Sequence, residues 1–405
     1  MTPALVARWR GMRFAHLIDS DGPGGAERML ASVAAELQAA GSDNVVFVPA
    51  GGEGWLAREL RGTGVQLELY RLDRPFSRRF ATWLSAAFRR HRITLAHSHE
   101  FVSVYGAWAA RRAGIAHLFT MHGGRYYAGR LRRRVALRLA AAVSSSVVAV
   151  SRSLGEHLAK DLWIRSSRIV TIPNGVRSAA IEQSSLRDEL KLASGDQLVV
   201  AVGNLYPVKG HIHLLEALAR LATRYPQLHV AIAGRGELAD TLRERARALQ
   251  VSQRFHLLGL RSDIGNVLGG TDLFVLPSLS EGVPLALLEA MLAGRPVVAS
   301  AVGEVPTVLD DGRAGVLVSP GDSAAIANAL AALLSDPARA RQLAAAAQIR
   351  ATQTYSFDAM MDRYLALYAK ALGNQPNDGR PQPVGDGQGQ ALPNSRPPRE
   401  RALVR

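Results

Sequence analysis

Residues 272–291 read DLFVLPSLSEGVPLALLEAM. The apolar run 273–276 is short, and Pro277 follows it, which predicts a buried strand rather than a helix. A polar loop comes next. Pro284 then suits a first helical turn, where its missing N–H costs little, and the spacing predicts a helix over 284–293. Strand, loop and helix in this order form one unit of a parallel sheet. Its loop falls at the carboxyl end of the strand, where open α/β sheets bind ligands. The helix N-terminus offers unpaired N–H groups and a positive dipole end, which favour phosphate. Glu281 precedes the helix and Glu289 lies in its second turn. Carboxylates accept hydrogen bonds from neighbouring hydroxyls, the chemistry that holds sugar diols. Both acids sit in apolar sequence, where an unpartnered acid is costly.

The same alternation extends outward. Strands are predicted at 198–203, 228–234, 255–258 and 296–300, with helices at 210–223, 237–249 and 262–269. Upstream, strands are predicted at 12–18, 44–50, 65–72, 93–98, 116–121, 147–150 and 168–172. Helices fall at 26–39, near 55–61 and at 77–91. The pattern predicts an α/β protein of two doubly wound, Rossmann-like domains facing across a cleft. The expected division is 1–177 and 178–355, with the joint near Pro173–Ala180. Segment 323–335 reads as an alanine-rich helix. Segment 356–372 reads as an amphipathic helix expected to close the second domain. From Gly373 onward, the Pro, Gly, Gln and Asn content predicts a disordered tail, 373–405.

Composition narrows the function. Of 405 residues, 48% are apolar, enough for a sizeable core. The absence of cysteine excludes disulfides, thiolate catalysis and cysteine metal sites. No apolar run approaches the ~18 residues of a membrane span, and no secretion signal is read at the start. A cytoplasmic protein, soluble or bound to a membrane face, is expected. The net charge of +15 is one-sided: residues 1–180 hold 26 Lys and Arg against 12 Asp and Glu, and the rest is balanced. Such a field calls for an anionic partner: nucleic acid, anionic lipid or a phosphorylated glycan.

Three further stretches bear on chemistry. Gly24 and Gly25 follow the first strand and open a helix, so the backbone there can approach a phosphate. A dinucleotide fingerprint would need a third glycine where Glu27 stands, and an acid where Pro49-Ala50-Gly51 ends the second strand. In the second half, Val202–Gly210 takes the corresponding place, with Lys209 near a helix start and suited to a diphosphate. Asp19-Ser20-Asp21 and His97-Ser98-His99-Glu100 resemble metal motifs, but their context favours no metal site. Arg130, Arg132, Arg133, Arg134 and Arg138, interleaved with Leu131, Val135, Leu137 and Leu139, form a basic amphipathic helix. It suits docking onto anionic headgroups.

Taken in order, GGAER, MHG at 121–123, AVSRSL at 149–154, IPNGV at 172–176, VGN…KG at 203–210, AGRGE at 233–237, LGLRSDI at 258–264 and the two glutamates eight apart resemble one family. The chain is similar to the retaining GT-B glycosyltransferases of family four, with group-1 features in its second half. SEGVPLALLEAMLAGRPVVAS is similar to bacterial lipopolysaccharide-core and surface-polysaccharide enzymes. The resemblance implies a nucleotide-sugar, with a UDP or GDP base, as donor substrate and no other cofactor. It implies a glycan or lipid-linked acceptor, transfer with retention and without metal, and a place on the inner face of the cytoplasmic membrane. It also implies roles. Gly24 and Gly25 face the donor, His122 contacts the transferred sugar, and Lys209 neutralises the diphosphate. The backbone at Leu260 and Arg261 holds the base, and the Val283 and Leu285 amides touch phosphate. Glu281 binds sugar hydroxyls and Glu289 the ribose. Asn204 stands where the family usually has arginine, and Val302–Thr307 replaces a commoner glycine-rich loop. A nucleotide-sugar epimerase on the same fold is the alternative. A nucleic-acid-binding protein is a weaker one, because aromatics are 6% and no nucleic-acid module is present.

Overall fold

Alternating apolar strands and amphipathic helices assemble into two parallel sheets in a computed structural model, which describes residues 9–22, 24–51, 54–72, 77–123, 130–177 and 184–373. The first sheet contains β1 (Arg13–Leu17), β2 (Asp43–Pro49), β3 (Gln66–Tyr70), β4 (Leu95–His99), β5 (Ala116–Met121), β6 (Ser146–Ala149) and β7 (Ile169–Thr171). Its order is β3-β2-β1-β4-β5-β6-β7. The second contains β8 (Gln197–Val202), β9 (Leu228–Ala233), β10 (Phe255–Gly259), β11 (Leu273–Leu276), β12 (Val297–Ser300) and β13 (Val316–Val318), ordered β10-β9-β8-β11-β12-β13. The predicted tail lies outside the described residues, as does part of the predicted joint.

Strand order decides where a ligand fits. In the first sheet the chain winds one way from β1 to β2 and the other way from β1 to β4. In the second sheet the reversal lies between β8 and β11. At such reversals the connecting helices lie on opposite faces, which leaves a crevice at the carboxyl ends. The loops after β1, β4, β8 and β11 border those crevices.

Central strands are apolar on both faces because helices cover both. Phe14, Leu17, Val46, Phe47, Leu118 and Phe119 are buried in the first sheet, and Val199, Val200, Ile232 and Phe274 in the second. β13 escaped prediction because three residues give no readable periodicity. Helices Ser103–Ala113, Arg152–Asp161 and Pro337–Arg350 were also missed. Pro284 is not in the first helical turn: it is the extended residue that precedes helix Leu285–Leu292.

One expectation is corrected. Helix Phe357–Gly373 does not close the second domain; it packs on the first. Phe357, Met360, Met361, Tyr364 and Tyr368 share a core with Trp9, Phe14, Leu95 and Leu118. The reason is chemical as well as apolar. The Tyr368 hydroxyl is hydrogen-bonded to His97 Nδ1 at 2.7 Å, and His97 Nε2 to Thr120 Oγ1 at 2.8 Å. Thr120 Oγ1 also meets the Tyr364 hydroxyl at 3.1 Å. Both tyrosines are fully buried, and among the described residues their hydroxyls find partners on β4 and β5. Gly175 permits the return crossing, since a Cβ there would lie 2.5 Å from the Ser356 carbonyl oxygen.

Tyr364→Ala removes a ring at the centre of this contact and leaves Thr120 without that partner. A loss of about 3–5 kcal/mol is expected, as for other large-to-small aromatic truncations. Urea denaturation followed by tryptophan fluorescence checks it, and an unshifted midpoint would refute this packing role.

Candidate active site at the facing crevices

The second-domain crevice is built from the loops after β8 and β11. The chain leaves β8 through Gly203 and Asn204 and makes one tight turn, Pro207–Lys209. It then enters helix His211–Leu221 through Gly210 at φ 64°. A Cβ on Gly210 would sit 2.0 Å from the Pro277 carbonyl oxygen, so glycine is what lets the two loops touch. The contact brings Lys209 to Glu281. Lys209 Nζ donates to Glu281 Oε1 at 2.7 Å, and Ser278 Oγ donates to the same oxygen at 2.7 Å. The Glu281 side chain is 8% exposed and that of Lys209 29%, so the carboxylate is held beneath a cation that reaches the crevice. His211 is buried, with Nε2 3.3 Å and 3.2 Å from the carbonyl oxygens of Gly203 and Asn204. Burial pushes its pKa down to about 4.

Gly303 continues this wall. Its φ is 52°, and a Cβ would lie 1.9 Å from the Glu281 carbonyl oxygen. Glu304, next in chain, is buried and accepts from the Ser153 amide at 3.2 Å, at the N-terminus of helix Arg152–Asp161. An acid there complements the helix dipole. The unusual Val302–Thr307 loop thus supports Glu281 on one side and grips the first domain on the other. Helix Leu285–Leu292 carries Glu289, whose pKa burial raises and Arg28 lowers. Arg28 belongs to the helix that Gly24 and Gly25 open, so the two crevices face each other.

Leu260 is 67% exposed. Beside it, Arg261 is ion-paired with Asp263 (2.6 Å) and Glu189 (2.8 Å). Asn204 is exposed and lends its carbonyl to His211. Val283 is half-buried and packs against the core behind the crevice, as does Leu285.

On the opposite wall, Gly24 and Gly25 are exposed. Glu27 explains the missing third glycine: its carboxylate folds back over Gly24, where a Cβ would meet Glu27 Oε2 at 2.4 Å. Ser20 Oγ donates to Glu27 Oε1. His122 follows β5, with Nε2 3.1 Å from His99 Nδ1. Burial holds His122 at a pKa of about 4, so it is a neutral imidazole. Two acids that sequence reading set aside as metal-like also stand here. Asp19 is pushed up to about 6 and Glu100 to about 8, chiefly by burial. The motif HSHE was the available signal. Of its histidines, His97 and His99 cluster with His16 in the core, where burial keeps His97 and His99 neutral.

Comparison with known proteins agrees with this architecture. Residues 182–350 match the family described as glycosyl transferases group 1, and residues 23–179 match glycosyltransferase family 4. An Escherichia coli UDP-Gal:alpha-D-GlcNAc-diphosphoundecaprenol alpha-1,3-galactosyltransferase is 29% identical over 266 residues, 61% of this chain and 68% of that protein. A D-inositol 3-phosphate glycosyltransferase of Nocardia farcinica is 32% identical over 253 residues, 59% of this chain and 54% of that protein. The chain thus spans about half to two thirds of the curated relatives it matches. Among solved structures, HepE of Anabaena in complex with UDP superposes with a TM-score of 0.77 at 24% identity, over 88% of this chain and 100% of that one.

Gly303→Ala forces a side chain into a left-handed conformation and against the Glu281 carbonyl. A destabilisation of about 1–2 kcal/mol or more is expected. Chemical denaturation measures it; unchanged stability would show that the loop relaxes without moving Glu281.

Proposed function

Because the chain belongs to the GT-B glycosyltransferases, its first half family four and its second half group 1, we propose that it moves a hexose from a nucleotide-sugar to a lipid-linked glycan. Transfer proceeds with retention. The observation that carries this reading is the Lys209–Glu281 pair at the β8/β11 crevice. A diphosphate entering there meets the ammonium of Lys209 and the amides of Val283 and Leu285. The Glu281 carboxylate accepts from sugar hydroxyls, and Glu289 from the ribose. Gly24 and Gly25 let the opposite backbone close on the donor, with Leu260 and Arg261 beside the base and His122 beside the transferred sugar. Asn204 offers an amide where the family has a second cation, so Lys209 carries a larger share of leaving-group stabilisation.

In the reaction the anomeric carbon–oxygen bond to the diphosphate breaks and a bond to the acceptor oxygen forms on the same face. The acceptor's proton leaves with the diphosphate. Charge develops on the departing oxygen, where preorganised donors do most. Lys209 and the helix N-terminus supply that charge, so no divalent ion is required. UDP is the favoured carrier, since HepE was captured with UDP and the Escherichia coli relative takes UDP-galactose. That relative's acceptor, a sugar diphosphate on undecaprenol, points to surface-glycan or lipopolysaccharide synthesis at the inner face of the cytoplasmic membrane.

The basic half supports that placement, and its helix adds apolar side chains to the charge. In helix Leu131–Val143, Arg134 donates to the Asp161 carbonyl and stacks 4.8 Å from the Trp163 ring. Arg138 donates to the Trp163 carbonyl. Beside the exposed Arg130, Arg132 and Arg138 runs an apolar stripe: Leu131, Val135, Leu139 and Val143 are 64%, 43%, 63% and 41% exposed. Four apolar side chains at i, i+4 spacing, flanked by arginines, suit insertion at a bilayer surface. No helix among the described residues is long and apolar enough to cross a membrane.

Two experiments test this reading. Wild-type transfer from UDP-hexose should persist in EDTA, whereas Lys209→Ala should lose about 10²–10³ in kcat, as for other lost electrostatic donors. Glu281→Ala should lose transfer as well, because it removes the acceptor for sugar hydroxyls and the partner of Lys209. Near-wild-type turnover in either variant would sink the assignment. Separately, Leu131→Ser/Leu139→Ser should no longer sediment with phosphatidylglycerol vesicles, while wild type should do so less as salt rises. Equal sedimentation of the two proteins would refute docking through this helix.

A further inference from the structure

Asp19, Glu100 and His122 stand in a row just after β1, β4 and β5, three adjacent strands that end at the first-domain crevice. None of the donor contacts proposed above uses either acid. Glu100 is 4% exposed and adopts φ 59°, a left-handed conformation that costs a non-glycine residue about 1 kcal/mol or more. The turn aims its carboxyl across the sheet end. Glu100 Oε1 accepts from the His122 amide at 2.7 Å, and the Gly123 amide adds a second bond. The Phe101 and Val102 backbone groups act on Asp19 against the effect of burial, drawing its pKa down. Glu100 is thus pinned by the loop after the neighbouring strand, and each acid keeps one buried oxygen without a partner among the described residues: Asp19 Oδ1 and Glu100 Oε2.

Unpartnered buried oxygens are expensive, and native proteins rarely keep them without a use. The two acids repel each other, and Glu27 adds to the repulsion on both. Burial and repulsion together keep a proton in the pair near neutrality. A half-protonated carboxyl pair both donates and accepts, and so does a hydroxyl. The neutral imidazoles of His99 and His122 add two more unpartnered ring nitrogens, His99 Nε2 and His122 Nδ1. Hydroxyl groups match this mixture of donors and acceptors better than a cation or a phosphate does.

We propose that Asp19 and Glu100 form the acceptor subsite, a two-carboxyl cradle that binds neighbouring hydroxyls of the incoming sugar and presents one of them to the donor. This rests on the glycosyltransferase reading and adds the acceptor's chemical class: a sugar diol rather than a phosphate or an amine. Both acids lie at the first-domain crevice, which the approach of Arg28 to Glu289 sets opposite the second-domain crevice; an acceptor hydroxyl held there lies on the side facing the donor.

The test uses Glu100→Gln and Asp19→Asn, which preserve shape and the amide contacts but remove the ionisable proton site. The full-length protein is assayed with UDP-galactose and UDP-glucose, using α-GlcNAc diphosphate on a short alkyl chain as acceptor probe. Each variant should lose roughly 10- to 100-fold in kcat/KM for the acceptor, the size of one hydrogen bond to a charged group. The loss should fall on the acceptor: kcat/KM for the acceptor should drop further than the slow hydrolysis of donor without acceptor does. Wild-type kcat/KM for the acceptor in both variants would overturn the proposal. So would an equal loss in acceptor-free hydrolysis, which would mark general damage to the site. A wild-type protein that hydrolyses donor yet ignores this sugar probe also counts against it. A protein that neither binds nor hydrolyses any nucleotide-sugar would instead remove the reading on which the cradle rests.

Discussion

A parallel sheet presents its ligand-facing loops at one edge only, the carboxyl ends of its strands, and a crevice opens only where the winding reverses. Lys209 with Glu281, and Asp19 with Glu100, obey that constraint. The reversal between β8 and β11 brings Lys209 and Glu281 into contact from loops 72 residues apart. The reversal between β1 and β4 brings Asp19 beside Glu100. Side chains that look unrelated in sequence become neighbours because strand order, rather than chain order, sets the distance.

Two devices hold the crevices opposite each other. Helix Phe357–Gly373 crosses back to the first domain and buries its tyrosines there, hydrogen-bonded through His97 and Thr120. Glu304 reaches from the second domain to the helix N-terminus at Ser153. The first contact is apolar and large; the second is a single charge-assisted bond beside the Glu281 loop. The two domains are thus joined broadly through the last helix and narrowly beside the Glu281 loop.

Much of this was legible from residue order alone. Short apolar runs such as 273–276 and 228–233 declared strands, and glycine or proline marked the turns after them. Lys209 and Glu281 were readable because each follows a strand and precedes a helix. The destination of the last helix was not readable, since an amphipathic face says that it must be buried but not against which sheet. In helix Leu131–Val143 the arginines were legible but their local partners were not: Arg134 and Arg138 donate to carbonyls of the segment 161–163, which no helical spacing encodes. Asp19 and Glu100 were visible only as parts of metal-like motifs. Their value lies in a left-handed backbone at Glu100 and in amide contacts across three strands, and no local pattern encodes either.

The central claim is that the β8/β11 crevice receives the diphosphate of a nucleotide-sugar at Lys209. Thermal unfolding with UDP-, GDP- and ADP-hexoses, compared with the free nucleosides, tests it most directly. The account predicts that at least one diphosphate sugar stabilises wild type, by about 2.7 kcal/mol at a hundred times its dissociation constant. The matching nucleoside and the Lys209→Ala variant should show little or no shift. Equal stabilisation of wild type and Lys209→Ala, or no response to any diphosphate sugar, would contradict it.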